Sequence, residues 1–152
     1  RSSGVSQPYK DSKPIHIEEI ELDSPQAGEV LIQIKAASLC HSDLSVINGS
    51  RPRPLPMALG HEAAGVVMEV GEGVTDFQLG DKVVCVFVPS CGHCIPCAEG
   101  RPALCEPGAK ANGDGTLISG GIRIHTGTEK IGHHVGVSAF SEYAVVSQNS
   151  LV

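Results

Sequence analysis

Four of the six cysteines stand close together, as Cys91-Gly-His-Cys94-Ile-Pro-Cys97 and then Cys105. Four thiolates at such spacing suit a tetrahedral Zn²⁺, with sulfurs near 2.3 Å and no open position, so the expected role is structural. Two disulfides are the alternative, which the tight spacing disfavours. A second, sparser set is Cys40-His41-Ser42-Asp43, followed 21 residues after Cys40 by His61 within Gly60-His61-Glu62. Sulfur and imidazole nitrogen together also bind zinc, and an incomplete protein shell leaves a position for water or substrate. On residue types alone, nucleophilic Cys–His catalysis and a buried Cys beside a capping His stay open.

These residues need elements to carry them. Residues 15–22 read as a short apolar strand. Ser24-Pro25-Gln26-Ala27-Gly28 is a turn, since Pro presets φ and Gly accepts φ > 0. Val30, Ile32, Ile34 and Ala36 then alternate with Leu31, Gln33 and Lys35, a strand with one buried face. It delivers Cys40. Residues 41–48 read as a short helix stopped by Asn48-Gly49, and the prolines between Arg51 and Pro56 force an irregular path. Residues 63–70 read as a buried strand beginning beside His61, and 83–88 as a β-branched strand leading to the cysteines. From Pro89 to about Gly121 no periodicity is visible, and a structureless stretch of that length calls for a brace. Residues 139–146 return to strand character. Cys85, inside a strand, reads as a core residue, and His93 as solvated.

Composition sets the frame. The chain has 152 residues, 41% hydrophobic and 18% charged, which suits a packed globule rather than disorder. Eleven basic residues against 17 acidic give a net charge of −6, and no Lys/Arg cluster stands out, so neither nucleic acid nor an anionic membrane is an expected partner. No apolar run approaches the length of a bilayer span. Eighteen Gly and ten Pro beside five aromatics indicate a turn-rich, mainly β protein with small core residues. Because the chain opens at Arg1 and stops at Leu151–Val152 after a strand-like segment, it is expected to be one piece of a longer polypeptide.

In this order the motifs resemble the zinc-dependent medium-chain alcohol dehydrogenases. The resemblance rests on Gly28-Glu29-Val30-Leu31-Ile32, Cys40-His41-Ser42-Asp43, Gly60-His61-Glu62-Ala63-Ala64-Gly65, Val70-Gly71-Glu72-Gly73-Val74, Gly80-Asp81-Lys82-Val83, the four-cysteine lobe and Phe140-Ser141-Glu142-Tyr143. It covers nearly the whole chain. It implies that residues 1–152 are a GroES-like catalytic domain, an irregular β-barrel with short helices and a zinc-braced loop lobe at 89–121. A Rossmann domain binding NAD(H) is expected beyond residue 152. The implied activity is reversible hydride transfer between an alcohol or aldehyde and NAD(H), in a cytoplasmic dimer or tetramer.

The resemblance also assigns roles. Cys40 and His61 would hold the catalytic zinc, with a third ligand beyond Val152 and Glu62 able to approach the metal. Asp43 would orient the ligand histidine, Ser42 would take the alcohol proton, and His41 would meet the cofactor pyrophosphate. Phe87, His134 and Val135 would line the substrate pocket, and Cys91, Cys94, Cys97 and Cys105 would hold the structural zinc. There are departures. Ser45 stands where many members end the proton relay with a histidine, Arg51 replaces an apolar residue and His134 an aromatic one. Two other readings remain: a zinc-braced β module that binds or scaffolds, and a zinc-dependent member acting on polyols or sugars.

Overall fold

The computed structural model describes residues 8–152; the first residues of the expected domain, 1–7, lie outside them. In chain order the elements are α1 (Tyr9–Ser12), β1 (Glu21–Leu22), β2 (Glu29–Ser38), α2 (His41–Ile47), β3 (Met57–Ala58), β4 (Glu62–Val70), β5 (Lys82–Val84), α3 (Ile95–Ala98), α4 (Glu106–Asp114), β6 (Ile124–Thr126), β7 (Glu129–His133) and β8 (Tyr143–Ser147). No helix among the described residues is long and apolar enough to cross a membrane.

The strands form two four-stranded sheets, β5-β4-β2-β8 and β1-β6-β7-β3. In the first, every neighbouring pair is antiparallel. Its edges meet through a single bridge, Cys85 to Leu151, with Val84 and Val152 exchanging N–H···O bonds. The result is an irregular barrel joined by a short seam rather than a full ladder. The alternation read in the sequence is physical here: Val30 and Ile32 of β2 are fully buried, beside Val67 of β4, Val83 of β5 and Val146 of β8. Branched side chains suit such a pleated, enclosed surface. Cys85 packs against this core, and burial raises its thiol to about 11, so it is an inert core residue.

Several sequence expectations are corrected. The strand expected over 15–22 shrinks to Glu21–Leu22, the two residues that pair with β6; Ile15 and Ile17 are exposed. The strand expected over 83–88 ends at Val84; Cys85 keeps one bridge, to Leu151, and the chain takes a positive φ at Val88 before Pro89. The strand expected over 139–146 starts only at Tyr143, after a left-handed residue at Ser138. In the lobe, α4 went unread because Pro107, Gly108 and Gly113 depress helix propensity. Local devices offset this: the Cys105 sulfur accepts the Gly108 N–H, and Gly115 ends the helix in the left-handed region. The β6–β7 hairpin also went unread, its short strands carrying few apolar residues.

One polar tie joins the lobe exit to the barrel. Glu29 is 1% exposed, and its carboxylate accepts two bonds from the Arg123 guanidinium, at 2.8 and 2.9 Å. Ser119 and the Gln26 N–H complete the set. Burial alone would raise the Glu29 carboxyl, but these donors outweigh it and hold it below the usual range. Next to it, fully buried His133 accepts the Arg123 N–H at Nε2, at 3.0 Å. Burial lowers its ring to about 4.

Both groups therefore withdraw stability on acidification. A His133 ring depressed from 6.5 to about 4 contributes stability above 6.5 that is lost as the pH falls toward 4. At about 1.4 kcal/mol per pH unit this amounts to about 3 kcal/mol. Glu29 adds a loss that continues below 4.5. Urea unfolding between pH 7 and 4 should show this slope, and His133→Gln should flatten it between 6.5 and 4.

Candidate metal centres

The Cys91, Cys94, Cys97 and Cys105 sulfurs lie within 4.8 Å of one another. All four cysteines are free, and Cys94 and Cys97 stand 3.4 Å sulfur to sulfur, far beyond a disulfide bond. Backbone N–H groups already point at the sulfurs: Cys94 N–H at Cys91 (3.3 Å), and Cys91 and Gly108 N–H at Cys105 (3.2 and 3.3 Å). Such donors favour thiolate. The Cys91 thiol is lowered to about 6, first by the His93 N–H, whereas Cys97 is raised to about 12 by desolvation and then by neighbouring thiols. Four thiolates this close together would repel one another unless a cation balanced them. The donor set, soft, closed and four in number, fits structural zinc. His93 stays outside, exposed, with its ring on the Cys91 carbonyl.

The second cluster is assembled from distant segments. The end of β2 delivers Cys40 to the start of α2, and the entry to β4 delivers His61 and Glu62. Their donor atoms also lie within 4.8 Å of one another. Ser42 Oγ stands 3.3 Å from Cys40 Sγ and 3.2 Å from His61 Nε2. Its one proton can serve only one of them, so the other lone pair is open to a cation. His61 is 5% exposed and Glu62 exposed, where Glu62 accepts a bond from Ser38. The residues fit a zinc held by sulfur and imidazole, with room for further ligands.

Behind the histidine lies Asp43, 3% exposed. One carboxylate oxygen is 3.4 Å from His61 Nδ1. The other accepts the Gly60 N–H at 2.9 Å and faces His134 Nδ1 at 3.0 Å. Burial would raise this carboxyl, but the His134 bond, the Gly60 N–H and the two imidazole charges hold it below its ordinary value. A carboxylate behind a ligand imidazole fixes ring orientation and tautomer. Gly60 has φ +91°, and a Cβ there would stand 2.5 Å from the Phe140 ring and 2.6 Å from the Phe140 nitrogen. Only glycine lets the chain pass there into His61.

The remaining expected site residues scatter. His41 opens α2 with an exposed side chain. Ser45 donates to the His41 carbonyl at 3.1 Å. The Phe87 ring lies 6.2 Å from that of His61 and is 61% exposed. His134 and Val135 are buried, at 0% and 3% exposure. An apolar cleft of about 240 Å³ lies beneath residues 14–20, lined by Val46, Ile47, Leu55 and Phe140, and none of Cys40, Ser42 or His61 borders it. Sequence reasoning did not foresee the His134–Asp43 contact, which spans 91 residues and leaves no local pattern.

Comparison with known proteins gives a consistent picture. The family described as the alcohol dehydrogenase GroES-like domain matches residues 26–152. An NDMA-dependent alcohol dehydrogenase of Amycolatopsis methanolica is 49% identical over 144 residues, which are 95% of this chain and 38% of that protein. An S-(hydroxymethyl)glutathione dehydrogenase of Synechocystis sp. is 42% identical, over 94% of this chain and 39% of that protein. The chain thus spans well under half the length of these relatives. Among solved structures, an alcohol dehydrogenase zinc-binding domain protein from Burkholderia ambifaria superposes with a TM-score of 0.83 at 36% identity, covering 90% of this chain and 37% of that one.

The tight passage at Gly60 is directly testable. Gly60→Ala combines a left-handed backbone with a clash against Phe140, and should cost about 2 kcal/mol or more. Metal analysis should show the cation at Cys40 and His61 lost while the four-cysteine site keeps its own.

Proposed function

The chain belongs to the alcohol dehydrogenase GroES-like domain family, and from that premise we propose that it is the zinc-holding catalytic domain of an alcohol dehydrogenase acting on a small alcohol or aldehyde. In this reading a nicotinamide-binding domain and a third zinc ligand follow residue 152, and the whole protein is a dimer or tetramer. The observation that carries the reading is the meeting of Cys40, His61 and Glu62 donor atoms within 4.8 Å, with a hydroxyl between the first two. The four-cysteine lobe supports a second, structural zinc.

Cys40 and His61 would hold the catalytic zinc, which when bound supplies Lewis acidity toward an alcohol oxygen. A nicotinamide, when bound, supplies the hydride acceptor. Ser42 Oγ, beside both ligand atoms, is placed to take the alcohol's proton. Ser45, engaged with the His41 carbonyl, supplies no imidazole to continue the relay, and in this reading the proton passes from Ser42 to solvent. Asp43 Oδ2 faces His61 Nδ1 at 3.4 Å, without a hydrogen bond, and so favours the tautomer that leaves Nε2 toward the site. The Phe87 ring lies edge-on to His61, with centroids 6.2 Å apart. Glu62 stands by as a carboxylate that can approach the metal, and His41 is exposed to meet cofactor phosphate.

Metal content separates this reading from a zinc-braced binding module. The full-length polypeptide should carry two zinc equivalents, of which Cys40→Ser removes one and Cys97→Ser the other. A single equivalent, indifferent to Cys40→Ser, would leave only the module. Ser42→Ala should retain both zincs and lower kcat by about 10²-fold or more, the usual loss when a positioned proton acceptor is removed. Residues 1–152 alone should form no NADH from any alcohol.

A further inference from the structure

The interior histidine at position 134, expected from the resemblance to line the substrate pocket, has no part in the proposed chemistry. A ring filling space between β7 and α2 would be cheaper as a phenyl group, because buried polar atoms need partners. His134 is 0% exposed, and its Nε2 has no hydrogen-bond partner among the described residues. What distinguishes it from a phenyl group is the other nitrogen, Nδ1, 3.0 Å from Asp43 Oδ1. That bond requires the proton on Nδ1, and in a neutral ring it leaves Nε2 as the bare acceptor.

We propose that His134 is a positioning residue for the Cys40–His61 centre: it pins one oxygen of Asp43 so that the other stays on His61. The proposal rests on the reading of Cys40 and His61 as zinc ligands. Two donors, Gly60 N–H and His134 Nδ1–H, converge on Oδ1, which stops the carboxylate from rotating. Oδ2 is then left facing His61 Nδ1 at 3.4 Å; neither atom has a hydrogen bond among the described residues, so the contact between them is electrostatic.

His134 is itself held to the segment that carries His61. Its N–H reaches Ser138 Oγ at 2.9 Å, and Ser138 Oγ donates to the Ala58 carbonyl at 2.8 Å. Further along, Ala139 N–H bonds the Gly60 carbonyl at 2.9 Å and Phe140 N–H the Leu59 carbonyl at 3.0 Å. The His134 and His61 rings meet edge to face, with centroids 5.3 Å apart. The residue that orients Asp43 is therefore referenced to the same backbone as the ligand being oriented. Removing such an outer partner typically costs 10- to 100-fold in metal affinity.

The test uses the full-length polypeptide, zinc competition titrations and the absorption bands of cobalt(II) placed in both sites. His134→Phe keeps the ring and loses the donor. It should weaken metal binding at Cys40/His61 by 10- to 100-fold and shift that site's cobalt bands, while the four-cysteine bands stay unchanged. His134→Asn, whose amide can occupy the Nδ1 position, should restore both. If His134→Phe fails to fold, His134→Gln, with its amide at the wrong reach, serves as the variant lacking the donor. In a cycle with Asp43→Asn, the two effects should not add. Wild-type bands and affinity in the donor-free variant, or additivity in the cycle, would overturn the proposal while leaving the zinc reading intact. A wild-type protein with only the four-cysteine metal would overturn both. A third metal equivalent that disappears with His134 would replace positioning by direct ligation among Asp43, His61 and His134.

Discussion

The buried carboxylate of Asp43 is the point on which the candidate site depends. It touches three parts of the chain: α2, which carries it, the Gly60 backbone ahead of β4, and His134 after β7. A carboxylate at 3% exposure is costly unless donors surround it, and each donor here comes from a different segment. The same bonds that compensate the burial hold α2 against the β4 entry, and so hold Cys40 and Ser42 against His61. Any cation held by Cys40 and His61 would therefore depend on the same bonds as the packing of the fold.

The two clusters differ in how they are built. Cys91, Cys94, Cys97 and Cys105 are neighbours in sequence, and two short helical turns with a capped α4 bring their sulfurs together. Such a site is nearly local, and a bound ion would brace a lobe with little apolar core of its own. Cys40 and His61 come from segments that are brought side by side where β2 and β4 pair antiparallel, Ser38 opposite Glu62. That register sets the ends of two strands side by side. A slip of one residue would send His61 to the other face.

Elsewhere, polar groups in the interior act as ties between regions that the hydrophobic core does not reach. Glu29 and Arg123 fasten the exit of the cysteine lobe to the start of β2. His133 sits beside that pair and His134 beside Asp43, so adjacent histidines serve different networks. The apolar core lies between β2, β4, β5 and β8, and its β-branched residues were visible as alternation in the sequence.

Chemistry that is local in sequence was legible there. The four-cysteine spacing, the Cys-His-Ser-Asp and Gly-His-Glu motifs, and the buried face of β2 are written in runs of a few residues. So was the mainly β character. What escaped was whatever needed a partner far along the chain. Ile15 and Ile17 have strand-like composition but find no ladder, and α4 has poor helix propensity but gains a sulfur cap and a packed Gly108. His134, expected from the resemblance to line the substrate pocket, has its ring on Asp43, 91 positions earlier. Residue types and spacing determined which atoms can bind a metal. Only the tertiary structure decided how they are oriented, because orientation is set by directional hydrogen bonds between segments that no local pattern relates.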